Sequence, residues 1–237
     1  MSFSIGKKLL KLKFPFRMEF LKQYAPDTVS KQRKKVNFPS ADRNKEPILE
    51  VLKQYFDNTI EGKVIEISSG TGQHAAHFAP HFPKLTFQPT ENEPSLLESI
   101  SAYAADTPTK NVKEPLLVNV VDDWTKWNVS NDFDYAINVN MIHVTPFSCT
   151  IGLFKNISSV LKPGGLLVTY GAYANNGVLE PESNRQFDKS IRQRDPNCGV
   201  RDIQDIVKVS ESYGIKLKEI IEMPANNKCL IWQKNNE

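Results

Sequence analysis

Short apolar runs alternate along the chain with longer stretches in which apolar residues recur every three or four positions. The runs are rich in valine and isoleucine and predict five strands, over residues 63–68, 85–90, 116–121, 135–140 and 165–170. The stretches predict four helices, one entered at Ser40-Ala41-Asp42 and the others over residues 73–81, 94–105 and 147–161. Strands that alternate with helices pair in parallel through right-handed crossovers. The pattern therefore predicts an α/β fold with a Rossmann-like, doubly wound sheet.

The last third of the chain departs from this alternation. Ser183-x-x-Gln186 has the spacing of a capping box, and the apolar residues that precede Gly214 predict a second helix there. Residues 215–223 and 228–233 predict two strands, and the connection between them is too short for a parallel crossover. We therefore expect a mostly parallel seven-stranded sheet with a C-terminal antiparallel hairpin.

Charge divides the 237 residues into two parts. Residues 1–35 contain ten Lys or Arg and two acids, which gives this segment a net charge of +8. The whole chain has a net charge of +3, so residues 36–237 carry −5. We expect a basic N-terminal extension over residues 1–35, compatible with mitochondrial targeting, before one domain over residues 36–237. The acidic body argues against nucleic-acid binding. No apolar run is long enough for a transmembrane segment.

The three cysteines, Cys149, Cys198 and Cys229, are scattered and odd in number. This pattern favours a reducing, cytoplasmic compartment over a disulfide framework. The sequence does not indicate an oligomeric state.

Candidate chemistry follows the predicted strands, because ligands of a parallel sheet bind beyond the carboxyl ends of its strands. The loop Ser68-Ser69-Gly70-Thr71-Gly72 has no side chain larger than threonine, so a nucleotide can approach its backbone closely. Glu91 lies 19 positions after Gly72, where a carboxylate can accept hydrogen bonds from ribose hydroxyls. Asp122 or Asp123 could accept from an adenine amino group. The predicted cofactor-binding residues are Glu66, Ser68, Gly70, Gly72, Glu91, Asp122, Asp123, Trp124 and Asn140.

Two cofactors are compatible with this arrangement. Gly70-x-Gly72-x-x-Ala75 satisfies a permissive dinucleotide fingerprint, which is compatible with NAD(P). The chain has no Tyr-x-x-x-Lys pair for hydride chemistry and no second substrate domain. S-adenosylmethionine carries no phosphate and needs ribose and adenine acceptors, which the series of strand-end carboxylates supplies.

Several longer motifs resemble those of class I S-adenosylmethionine-dependent methyltransferases, and more specifically the methyltransferase-like protein 26 family. The resemblance covers about residues 36–237. Its motifs are Arg43-Asn44-Lys45-x-Pro47, SSGTGQH at 68–74, Gln88-Pro89-Thr90-Glu91, Asn140-Met141-Ile142-His143, SNRQFDKSIRQRDP at 183–196, Arg201-Asp202 and MPANN at 223–227. The resemblance implies a methyltransferase fold and S-adenosylmethionine as donor, but no particular acceptor. Ser68 stands where the common class I loop has glycine.

His143 is the candidate catalytic base, because it follows the fourth strand and carries a nitrogen that titrates near neutral pH. Asn140 could orient the acceptor or the donor. The predicted substrate-binding residues are polar side chains at the helix start and in the late polar segment, namely Arg43, Asn44, Ser183, Asn184, Arg194 and Arg201. Equally, Arg194 and Arg201 could have a structural role, in which they hold the irregular polar segment at residues 183–202 against the rest of the domain.

The leading hypothesis is a methyltransferase whose acceptor is an unknown small molecule or protein. The alternatives are a non-catalytic S-adenosylmethionine-binding or interaction protein and an NAD(P)-binding oxidoreductase. His74-x-x-His77-x-x-x-His81 shares a helix face, but no fourth ligand is evident and Pro80 interrupts the helix, so we predict no metal site.

Overall fold

A computed structural model of the protein describes residues 35–236. The predicted N-terminal extension lies outside this range, apart from Lys35. No helix within the described range has both the length and the apolar character needed to cross a membrane.

Helices and strands alternate through the first two thirds of the described chain. They are α1 Pro39–Tyr55, β1 Gly62–Ile67, α2 Gln73–Phe78, β2 Leu85–Glu91, α3 Pro94–Asp106, β3 Leu116–Leu117, β4 Phe133–Val139, α4 Phe147–Val160 and β5 Leu161–Gly171. The remaining elements are β6 Tyr173–Ala174, α5 Glu182–Arg194, β7 Arg201–Asp202, α6 Ile203–Ser212, β8 Ile215–Met223 and β9 Asn227–Lys234. Single 3₁₀ turns lie at Ala79–His81, Trp124–Lys126 and Pro224–Asn226.

Seven strands form the main sheet, in the order β3-β2-β1-β4-β5-β9-β8. The strands from β1 to β5 pair in parallel, whereas β9 pairs antiparallel with both β5 and β8. The short strands β6 and β7 pair separately. The predicted fold class, including the closing hairpin, is confirmed. The loops that follow β1, β2 and β4 meet at one edge of the sheet because these strands are parallel.

Apolar residues of β1 alternate between the two faces of the sheet, as the period of a strand requires. Val64 packs among the buried residues of α1 and α2, while Ile65 and Ile67 pack with those of α4 and α6. Each fully buried aliphatic side chain contributes roughly 1.5–3 kcal/mol. The sheet therefore has helices and an apolar layer on both faces.

Three boundaries differ from the prediction. The first helix begins at Pro39, one residue before the expected entry at Ser40, and its N-cap Phe38 makes no side-chain capping bond. The capping box at Ser183 is wrong, because α5 begins at Glu182 after Pro181 and Ser183 lies inside its first turn. The third strand is also shorter than predicted, since only Leu116 and Leu117 pair with β2.

Candidate functional site

The loop after β1 has an unusual and well-defined backbone. Ser68, Gly70 and Gly72 have φ values of 62°, 60° and 91°, in the left-handed region. The Ser69 N–H donates to the Thr90 carbonyl at 2.8 Å, and the Gly72 N–H donates to the Ser69 carbonyl at 3.1 Å. These bonds fix the loop at the end of β1 and against β2.

The two glycines of this loop have different structural roles. A Cβ on Gly72 would lie 2.8 Å from the Cα of Ile100 in α3, so only glycine permits this close packing. A Cβ on Gly70 would meet no atom within 4 Å. The backbone at Gly70 therefore borders open space, where a ligand can approach it.

Two buried carboxyl groups lie beside the loop. Glu91 Oε2 accepts from the Gly70 N–H at 2.8 Å, and Glu91 Oε1 accepts from the Asn92 and Glu93 N–H groups at 2.8 and 3.1 Å. Neither carboxyl oxygen of Glu66, which is 1% exposed, has a hydrogen-bond partner among residues 35–236.

Burial raises the pKa of Glu66 to about 8. The Ser69 side chain lowers this pKa, and the charge of Glu91 raises it. A buried carboxyl without a partner is costly unless a ligand compensates it. The Glu66 carboxyl is therefore mostly protonated, and so uncharged, at pH 7.

A cavity of about 580 Å³ opens above the loop. It extends from the loop to the end of β4 and is also lined by α1 and by the turn between β8 and β9. Its lining includes Ser68, Gly70, Asn140, His143, Tyr170 and Phe187. We call this space the main cavity. It brings together the glycine loop and both predicted catalytic residues.

Asn140 and His143 lie side by side in the main cavity. Asn140 has a φ of 59°, and its N–H donates to the Tyr170 carbonyl at 2.8 Å. A Cβ on Gly171 would lie 3.0 Å from His143 Nδ1 and 3.7 Å from Asn140 Oδ1, so the missing side chain at Gly171 makes room for both. The ring of Phe187 meets the imidazole edge-on, with centroids 5.3 Å apart.

His143 has the properties of a neutral proton acceptor. Burial, together with the charge of Arg201, lowers its pKa to about 4. Neither ring nitrogen has a hydrogen-bond partner within the described part of the chain. The imidazole is therefore neutral near pH 7 and one of its nitrogens has a free lone pair.

Arg43 and Asn44 of α1 also line the main cavity. The Asn44 Oδ1 atom lies 2.7 Å from His74 Nε2, so His74 donates from this nitrogen. Burial lowers the pKa of His74 to about 4. His77 lies 3.0 Å from Glu46 instead. Residues 35–236 contain no cluster of three or more side chains suited to a metal ion.

The other four predicted substrate-binding residues do not line the main cavity. Asn184 Nδ2 donates to the carbonyl groups of Glu180 and Asn226 at 3.0 and 3.1 Å, and Ser183 Oγ accepts from the Asn226 amide. These contacts join α5 to the turn between β8 and β9, which forms one cavity wall.

The arginines of this set lie apart from the main cavity as well. Arg201 Nη2 donates to the carbonyl groups of Thr145 and Asn197 at 3.0 and 2.5 Å, and its guanidinium lies over the Phe147 ring. Arg194 lines neither the main cavity nor the smaller cavity described next. The contacts of Arg201 are those expected if it holds the irregular segment onto the body.

A second cavity, of about 40 Å³, adjoins the first and shares Ser68 and Val144 with it. Asn92, Asn119 and Met141 are among its other lining residues. We call it the side cavity. Because it lies beside the ends of β2 and β3, it has the position expected for the adenine of a nucleotide bound at the loop after β1.

Six of the predicted cofactor-binding residues line neither cavity, namely Glu66, Gly72, Glu91, Asp122, Asp123 and Trp124. Asp123 instead caps the following 3₁₀ turn by accepting from the Thr125 N–H at 3.1 Å. The Trp124 N–H donates to Asn156 Oδ1 at 3.0 Å. Asn119 is the polar strand-end residue that sequence reasoning missed.

Solved methyltransferase structures share this fold. An O-methyltransferase family protein from Burkholderia thailandensis is 16% identical, with a TM-score of 0.68 over 83% of this chain and 57% of that chain. Human N-acetylserotonin methyltransferase in complex with SAM is 14% identical, with a TM-score of 0.65 over 83% of this chain and 53% of that chain. A calicheamicin-biosynthesis methyltransferase in its SAH-bound form is 12% identical, with a TM-score of 0.65 over 82% and 55%. This chain thus spans a little over half the length of these proteins, and the likeness establishes the fold.

A family model gives the closer relationship. It matches residues 35–234, which include every helix and strand that lines either cavity. The chain therefore belongs to the family described as protein of unknown function DUF938.

Proposed function

We propose that this protein is an S-adenosylmethionine-dependent methyltransferase. The observation that carries the proposal is the main cavity, which connects an open glycine-loop backbone to a neutral imidazole and a carboxamide. A donor site and a proton acceptor that share one cavity are what methyl transfer to a protonated nucleophile requires. The methyltransferase fold supports the same reaction class.

The donor would be held by residues on both sides of the glycine loop. The open space at Gly70 admits it, whereas the Glu66 carboxyl lines neither cavity and, being mostly protonated at pH 7, offers no negative charge to its cationic end. Glu91, which is fully buried, would hold the loop in place for the donor by accepting from the Gly70 N–H. In this proposal Asn119, in the side cavity, takes the adenine-binding role that the sequence suggested for Asp122 and Asp123. When bound, S-adenosylmethionine supplies a methyl group on a sulfonium, and loss of that methyl leaves S-adenosylhomocysteine.

His143 would prepare the acceptor. Its free ring nitrogen takes the proton of the acceptor, and the electron pair left on the acceptor atom is then available for the new bond to carbon. Asn140 orients the acceptor through its carboxamide. The aromatic wall at Phe187 limits the access of water to the imidazole.

We further propose that the chain is a relative of the methyltransferase-like protein 26 family, on the basis of the motifs at residues 140–143, 183–196 and 223–227. A cytoplasmic location belongs to the same proposal, with mitochondrial targeting as the alternative suggested by the basic residues 1–35. The three cysteines, which are all free thiols, fit a reducing compartment.

Titration calorimetry with S-adenosylmethionine, S-adenosylhomocysteine and NAD tests the donor. We expect both adenosyl compounds to bind and Gly70→Arg to abolish their binding in a folded protein. Binding of NAD alone would overturn the proposal. Transfer of labelled methyl to an extract fraction tests catalysis, and donor binding without any transfer would favour the non-catalytic alternative.

A further inference from the structure

The walls of the main cavity carry an unequal distribution of charge. Among the described residues that line it, none is a carboxylate and Arg43 is the one permanently charged side chain. The acids that neighbour Arg43 on α1 already have partners: Asp42 accepts from Lys45 at 2.8 Å, and Glu46 lies beside His77. Arg43 itself forms no ion pair with any residue from 35 to 236. A protonated amine would therefore enter this cavity without a counterion, whereas an anion would find one.

Aromatic and apolar side chains form most of the acceptor end of the main cavity. Phe187 comes from α5 and Tyr170 from β5, and Pro224 and Ala225 of the β8–β9 turn complete the wall. Flat apolar walls with a few polar groups favour a planar ring whose orientation is fixed by hydrogen bonds. The polar pair of Asn140 and His143 lies at the same end.

The size of the main cavity limits the acceptor. Its volume of about 580 Å³ has to contain the methionine end of the donor as well as the acceptor. Cavities of this size bind one drug-sized molecule at most. Only a small compound of one or two rings fits in the space that remains.

We infer that the methyl acceptor is a small planar aromatic compound with a ring hydroxyl directed at His143 and a negatively charged substituent directed at Arg43. This inference rests on the proposed function. It excludes alkylamines and the side chains of lysine and arginine as acceptors.

Binding to the protein saturated with S-adenosylhomocysteine tests this inference without turnover. Three para-substituted phenols of similar size carry substituents of different charge: hydroxybenzoate is an anion, hydroxybenzamide is neutral and hydroxybenzylamine is a cation. By calorimetry we expect hydroxybenzoate to bind about threefold to tenfold more tightly than hydroxybenzamide, a modest factor because Arg43 is exposed to solvent. Hydroxybenzylamine should bind most weakly.

Arg43→Met identifies the residue responsible. It should reduce the preference for hydroxybenzoate over hydroxybenzamide to less than about twofold and leave affinity for S-adenosylhomocysteine unchanged. Lys53→Met is the matched control, because it removes one positive charge from the same helix at a residue paired with Glu50, away from both cavities. The control should keep the full preference.

The outcomes separate the two proposals. Failure of S-adenosylhomocysteine to bind the wild-type protein would reject the proposed function itself. If it binds, the acceptor inference is overturned when none of the phenols binds, when hydroxybenzylamine binds as tightly as hydroxybenzoate, or when Lys53→Met changes the preference as much as Arg43→Met. A loss of S-adenosylhomocysteine affinity in Arg43→Met would assign Arg43 to the donor instead and would equally overturn the inference.

Discussion

Gly70→Ala separates the binding role of the glycine loop from its role in stability. The new methyl group meets no atom within 4 Å, so it causes no clash, but alanine must adopt a φ of 60°. The left-handed conformation costs a non-glycine residue about 1–2 kcal/mol. For a domain of this size that cost corresponds to a fall in Tm of roughly 2–8 °C. In the same variant the methyl group occupies the open space from which a ligand would approach the backbone.

Gly70→Ala should therefore lose donor affinity in addition to stability. We expect a loss of at least about tenfold in affinity for S-adenosylhomocysteine, which is about 1.4 kcal/mol. The assays are titration calorimetry for affinity and urea unfolding for stability, both on purified protein at one pH.

Two other glycines give matched controls. Gly177 has a φ of 78° and also has no atom within 4 Å of an added Cβ, but it lines neither cavity. Gly177→Ala should lose the same stability and keep full affinity. Gly72→Ala adds a contact of 2.8 Å with the Ile100 backbone and should lose roughly 2–5 kcal/mol of stability. Equal affinities in Gly70→Ala and Gly177→Ala would refute the placement of the donor at the loop.

Three further predictions concern two buried groups, His143 and Glu66, and the proposed adenine site. His143→Gln should lower kcat by about a hundredfold or more and leave S-adenosylhomocysteine affinity unchanged, measured by labelled-methyl transfer and calorimetry. Because the pKa of His143 is about 4 in the folded protein, below the ordinary histidine value of 6.5, this residue favours the folded state less as pH falls from 6.5 towards 4, and the variant should lose less stability there. Folding shifts the pKa of Glu66 in the opposite direction, from 4.5 to about 8. The contribution of Glu66 to stability is therefore complete below pH 4.5 and is lost as pH rises towards 8. Glu66→Gln should flatten the pH dependence of the free energy of urea unfolding across that window. Asn119→Ala should weaken S-adenosylhomocysteine binding, whereas Asp123→Ala should only remove a turn cap. If calorimetry shows a larger loss of affinity in Asp123→Ala than in Asn119→Ala, the proposed adenine site is wrong.

The sheet could be predicted from sequence because its strands are apolar runs bounded by turns. The hydrophobic periodicity was sufficient to predict β1, β2 and β4, and the ends of these strands carry Glu66, Glu91 and Asn140. It failed at β3, where an apolar run continues to Val121 although pairing stops at Leu117. Strand length depends on the neighbouring strand, which the sequence does not display. The predicted Asp122 and Asp123 follow the end of the longer apolar run, whereas Asn119, which we propose for adenine binding, follows the end of the observed strand.

The acceptor end of the main cavity was harder to predict for a different reason. Phe187 and Tyr170 are apolar residues that periodicity assigns to a helix face and a strand. Their place in the cavity depends on how α5 folds back over the end of β4, which brings Phe187 to His143. The sequence did single out the segments that contain these residues, but not the side chains that face the cavity.

The two ends of the main cavity are held by different kinds of structure. The donor end is the loop of β1, whose backbone is hydrogen-bonded to β2 and packed against α3. The acceptor end includes the β8–β9 turn, in which Ala225 and Asn226 both have left-handed φ values near 60°. Such a turn persists only where its surroundings hold it, and Asn184 of α5 does so by donating to the Asn226 carbonyl. A substitution in α5 can therefore change this wall of the main cavity while the loop of β1 keeps its shape, so under the proposed function the acceptor could be altered independently of the donor.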